Sequence, residues 1–182
     1  MSNVVSPAST ATSSATTATI AVSARANALA ERLEQGVNTL VDLAIGLSDS
    51  EWRTPVSVTD RRTVGQIVNH VALVFPVEIH FAQVLGNGDP IVGVTWDTVH
   101  EMNGNHAREN ANPTREEAVT LLRQNGAAAA AAIRALGDRQ LDAAAPNSMY
   151  ADAPTTCQFM LEDHAVRHSY HHTQKIRRAL GK

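Results

Sequence analysis

The chain has 182 residues, 43% hydrophobic and 18% charged, with a formal net charge of −3. That length suits one domain with a sizeable core and is short for two, and the acidic balance lacks the basic patch that nucleic-acid binding uses. A single cysteine, Cys157, excludes an internal disulfide framework and points to a reducing compartment; no stretch reads as the ~20 apolar residues of a membrane span, so a cytoplasmic location is expected.

Residues 1–20 are a Ser/Thr/Ala tract, with no Lys or Arg before Arg25. The tract lacks both the basic start and long apolar run of a secretory signal and the arginines of a transit peptide. Its composition predicts a disordered tail, because it has little apolar surface to bury. The folded domain is expected over residues 21–182.

Four segments repeat apolar residues every three or four positions, the period of an amphipathic helix. The first runs from about Ala21 to Leu47, with Leu29, Leu33, Val37, Leu40 and Ala44 on one stripe. The second runs from about Thr63 to Leu85 and the third from about Thr114 to Leu136. The fourth runs from about Thr155 to Leu180, with Gly181 placed to end it. Thr63 with Gln66, Thr114 with Glu117, and Thr155 with Gln158 each fit a capping box, in which a hydroxyl and the side chain three residues on satisfy two orphan backbone donors. No segment alternates convincingly with period two. The expected fold is all-α, a four-helix bundle. The 86–113 connection is long for a structureless loop in a compact domain. It holds Trp96, His100 and His106, and reads either as a lid beside a pocket or as a crossover that departs from simple up-down order.

Four of the eight histidines fall between positions 164 and 172. On a helical wheel Leu161, Ala165, His168, His172 and Ile176 share one stripe, so His168 and His172 stack on adjacent turns. In the second helix Ile67, His70, Val74, Val77 and Phe81 form a similar stripe. Three imidazoles facing one bundle axis need partners, because an unpaired buried polar ring is costly. A divalent metal satisfies all three, and three protein ligands with an open position is the pattern of a catalytic zinc site. The bland alternative is a set of core histidines bonded to carbonyls or carboxylates. His164, one turn before His168, competes with His172 as a ligand. His171 and His80 fall off the stripes; His171 is expected to face solvent or a neighbouring helix, and His80 to be peripheral. Cys157 reads as a small buried residue.

The run Thr63-Val64-Gly65-Gln66-Ile67-Val68-Asn69-His70-Val71-Ala72 resembles the second helix of the DinB-like superfamily. The run from His168 to Ile176 resembles that superfamily's fourth-helix signature, and Leu47 to Trp52 resembles the end of its first helix. The resemblance implies a four-helix bundle with a metal site at His70, His168 and His172. Many members carry an acid directly after the first histidine of the pair; here it is Ser169, with Glu78, Glu162 and Asp163 as the nearest replacements. Members with assigned activity are thiol-dependent transferases and isomerases that use mycothiol, bacillithiol or glutathione. The resemblance therefore implies a divalent metal (zinc, or nickel), a low-molecular-weight thiol, a small electrophile, and a homodimer. Arg167 and Arg108 are candidates to hold a carboxylate of thiol or substrate. A hydrolase or lyase using metal-bound water is the alternative, with His164 or Glu78 as general base, and a non-catalytic metal-binding bundle is the third.

Overall fold

The computed structural model describes residues 23–182; the tail expected at 1–20 lies outside them. Helix α1, Ala24–Ile45, starts where the Ser23 side chain accepts from the Ala26 amide. A one-turn helix α2, Asp49–Trp52, is capped by Ser48 and Glu51. Helix α3, Val64–Gly86, starts on the Thr63–Gln66 capping box. Helix α4, Trp96–Glu109, occupies the long connection, and α5, Arg115–Arg134, starts on the Thr114–Glu117 box. After the short α6, Asp138–Asp142, strands β1 (Ala144–Asn147) and β2 (Ala153–Thr156) form an antiparallel hairpin. The last bundle helix is continuous: α7, Cys157–Met160, a π-helical turn Leu161–Val166, and α8, Arg167–Leu180.

Four long helices form the bundle, with α1 and α3 each packed against α5 and against the last helix. Sequence neighbours α1 and α3 are therefore diagonal, so the order is not simple up-down. The core is aliphatic: Leu33, Leu40, Ile67, Phe75, Leu122, Ile133, Leu161 and Ile176 are fully buried. Helix α3 is long and apolar enough by composition to cross a membrane, which corrects the sequence expectation. Most of that apolar window is buried among the other helices.

Pro76 lies inside α3. It has no N–H, so the Ala72 carbonyl one turn back loses its helical donor. Asn125 of α5 supplies the replacement: its Nδ2 donates to that carbonyl at 2.8 Å. A break within one helix thus becomes a bond between two.

Three sequence expectations need correction. The long connection is not a loop; α4 fills much of it, entering on Thr95, whose side chain accepts from the Thr98 amide. The hairpin at 144–156 was not expected, because Ala-Ala-Pro-Asn hides its alternation of exposed and buried positions behind small residues and a proline. The last helix is capped by Thr156, which accepts from the Phe159 amide, rather than by Thr155. Thr155 belongs to β2 and accepts from Asn147 Nδ2.

Candidate metal centre

Helix α3 supplies His70 and, two turns later, Glu78; α8 supplies His168 and His172, one turn apart. One ring nitrogen from each of the three histidines lies within 4.8 Å of the other two. His70 Nε2 and His168 Nε2 are 3.3 Å apart. Nitrogens bound at about 2.0–2.1 Å to one tetrahedral zinc sit about 3.4 Å from each other, so this spacing suits co-ligands.

The opposite nitrogen of His168, Nδ1, is 2.5 Å from Glu78 Oε1. Glu78 is buried, and so accepts a proton bond it would otherwise leave to water. With Nδ1–H held by the carboxylate, Nε2 is left with its lone pair toward the other rings. Of the three acids that could replace an acid at Ser169, Glu78 takes the place; Glu162 pairs with Arg32, and Asp163 with Arg167. Ser169 is buried, and its hydroxyl has no partner among the described residues.

Burial pushes His70 down to about 3, helped by the neighbouring His168. Burial likewise drives His172 far below the ordinary histidine range, with His168 and His70 adding to the effect. Both are neutral at pH 7, the form that ligates metals. The donor set, its convergence and the carboxylate behind one ligand all fit a divalent cation.

The three histidines line a pocket of about 420 Å³. Val74, Val77 and Phe81 of α3, Val99 and Met102 of α4, and Met149 and Met160 form its apolar wall. The stripe His70–Val74–Val77–Phe81 therefore faces the pocket, while Val71, Phe75, Ile79 and Ala82 of the same helix face the core. The π turn matters here, because its extra residue shifts the phase of the helix beyond it. Beyond that turn Ser169, Thr173 and Ile176 are buried, and His168, His171 and His172 line the pocket.

His164 is not part of the histidine cluster. Its Nε2 is 2.9 Å from the Tyr150 hydroxyl, which in turn donates to Asp163 Oδ2 at 3.1 Å. Tyr150, at the tip of the hairpin, is pushed up to about 12 by burial and by Asp163. Burial lowers His164. Trp96 of α4 stacks on His164, with ring centroids 6.1 Å apart.

Arg167 lines the pocket, held by the Asp163 side chain and carbonyl. Arg108 does not; it is exposed on α4 and donates to Asn105. His171 is exposed, on the pocket rim against His172, and His80 is exposed as well. Cys157 is buried, and desolvation pushes its thiol up to about 11. Sequence reasoning missed Arg62, Lys175 and Tyr150. Lys175, one turn beyond His172, was detectable by the same wheel that found the histidines. Tyr150 was not, since it meets His164 only through the hairpin.

A family model described as the DinB superfamily matches residues 32–176, and the chain belongs to that superfamily. Among solved structures it is similar to YfiT from Bacillus subtilis, described as a probable metal-dependent hydrolase with an unusual four-helix bundle topology. The two share 18% identity and a TM-score of 0.67, over 88% of this chain and 91% of that one. At that identity the likeness is one of fold. No curated protein matches the chain.

Proposed function

We propose that this chain is a divalent-metal enzyme that joins a low-molecular-weight thiol to a small electrophile, or isomerises a substrate through such an adduct. His70, His168 and His172 would hold the metal, zinc or nickel. A bound divalent cation lowers the pKa of a thiol or water in its coordination sphere.

One observation carries the choice of thiol over water. The Glu78 carboxylate beside the histidines holds His168 Nδ1 through Oε1, and its other oxygen, Oε2, is buried out of reach of a nucleophile in the pocket. An ordinary thiol has a pKa of about 8.5, against 15.7 for water, so a thiol needs much less help. In this reading Glu78 orients His168, the apolar wall excludes water, and the pocket holds the electrophile. A hydrolase is the second reading, supported by His164: it lies in the same pocket, bonded to Tyr150, and can hold a proton there.

The test is metal analysis of the purified chain beside His168→Ala, followed by thiol titration of a cobalt-substituted sample. About one divalent ion per chain, lost in the variant, and a visible spectrum altered by thiol are the expected outcomes. A protein that binds no metal after reconstitution sinks the proposal. Turnover of a carboxylic ester without added thiol would favour the hydrolase.

A further inference from the structure

We propose that Arg62 and Lys175 form a carboxylate-binding clamp at one end of the pocket, so that the ligand is a small acid with an apolar body. This deepens the reading above and rests on it only for where the reaction occurs.

The clamp joins two elements. Arg62 precedes the cap of α3, and Lys175 lies one turn beyond His172 on α8. Asp60 ties them together: Arg62 Nε and Nη2 donate to its two oxygens at 2.9 and 2.8 Å, and Lys175 Nζ donates at 2.6 Å. All three side chains are largely buried. Arg62 and Lys175 line the pocket, whereas Asp60 does not.

A donor count shows what this arrangement can still bind. A guanidinium has five N–H donors and an ammonium has three. Asp60 engages two of the first and one of the second. The remainder are held in place by Asp60 without being used by it. The charges agree. Of the other acids lining the pocket, Asp163 is paired with Arg167, and Glu78 accepts from His168 Nδ1–H. Arg62, Lys175 and Asp60 together carry a local net charge of +1 at that end of the pocket.

Away from the clamp, past the mutually bonded Asp163, His164 and Arg167, the pocket wall becomes apolar. Lys175 lies about 4.5 Å of helix rise past His172, whereas Met160 lies about 12 Å before His168. On α3, Phe81 lies beyond Glu78, on the side away from Arg62, and lines the same pocket. A carboxylate on the clamp therefore places the next few atoms of a ligand at the histidines and its apolar body against Phe81 and Met160. The acid group can belong to the electrophile or to the thiol.

Calorimetric titration of the zinc-loaded full chain with 3-phenylpropionate, its amide and 3-mercaptopropionate tests this. Arg62→Gln, Lys175→Gln and Lys175→Arg are titrated in parallel, and zinc content is measured on every sample. Phenylpropionate is expected to bind at least about tenfold more tightly than the amide, as a charge-assisted contact implies. Each Gln variant is expected to lose about tenfold for the acid, and Lys175→Arg to retain most of it. Clamp dependence for phenylpropionate assigns the carboxylate to the electrophile, and dependence for mercaptopropionate alone assigns it to the thiol; either supports the clamp. Equal binding of acid and amide, no binding of either acid, or acid binding unchanged in both Gln variants would overturn it. Discrimination of acid from amide by a chain that takes up no zinc would sink the metal reading and leave the clamp standing.

Discussion

The two sides of the bundle are built from different materials. Where α5 meets α1, small residues let the backbones approach: Gly126 faces Val37 so closely that an added Cβ would lie 2.9 Å from a Val37 methyl. Ala118, Ala129, Ala130 and Ile133 of α5 are buried as well. Where α3 meets α8, the inward positions are His70, Glu78, His168 and His172, and a pocket opens between them. A tightly packed aliphatic face loses energy with every atom removed. A face of imidazoles gives up some packing and gains a cluster of lone pairs. Stability is concentrated on the first face and chemistry on the second.

Two phenylalanines of α3 put the largest expected number on that contrast. Phe75 is fully buried in the core, whereas Phe81 lines the pocket. Phe75→Ala should lower the unfolding free energy by about 3–5 kcal/mol in urea melts. Phe81→Ala should cost about 1 kcal/mol, since its ring is only partly withdrawn from water. Equal losses would break the distinction between the faces.

Next in size is Glu78→Gln. The amide can still accept from His168 Nδ1 but carries no charge, and metal affinity should fall about 10–100-fold in a competition assay with a chelating dye. Unchanged affinity would mean that Glu78 serves only to satisfy a buried ring.

The histidine face should also be the acid-sensitive one. His70 titrates at about 3 in the folded chain and near 6.5 when unfolded. Between those values the unfolded chain binds a proton that the folded chain does not, so stability is intact above about 6.5 and falls as the pH drops. For metal-free protein His70 alone contributes a loss of about 2 kcal/mol at pH 5. His172 acts in the same direction. Urea midpoints at pH 7 and pH 5 check this, and His70→Asn should flatten the difference.

The smallest effect concerns the bond that repairs the α3 break. Asn125→Ala leaves the buried Ala72 carbonyl without its donor and should cost about 1–2 kcal/mol in the same melts. A neutral result would show that water reaches that carbonyl.

Much of this architecture was legible in the chain. The capping boxes at Thr63 and Thr114 mark true helix starts, because a cap is a local contract between residues three apart. The histidine stripes were legible for a similar reason, since residues four apart must share a face. By contrast, α4 escaped notice: it has no buried residues and so no apolar period to read. The hairpin escaped because its strands are made of alanine, proline and short polar residues, which carry little strand signal of their own.

By itself, then, the sequence determined four amphipathic helices, the ends of most of them, and the facing of His70, His168 and His172, all consequences of spacing within a single element. Only the tertiary structure decided the rest. Which acid stands behind His168 depended on α3 meeting α8, where Glu78 lies ninety residues away in sequence. The same meeting joins Arg62 to Lys175 through Asp60. The hairpin brings Tyr150 to His164, and α4 lays Trp96 over it. Each of these contacts joins separate elements, and the distance between elements is set by packing, which no local period records.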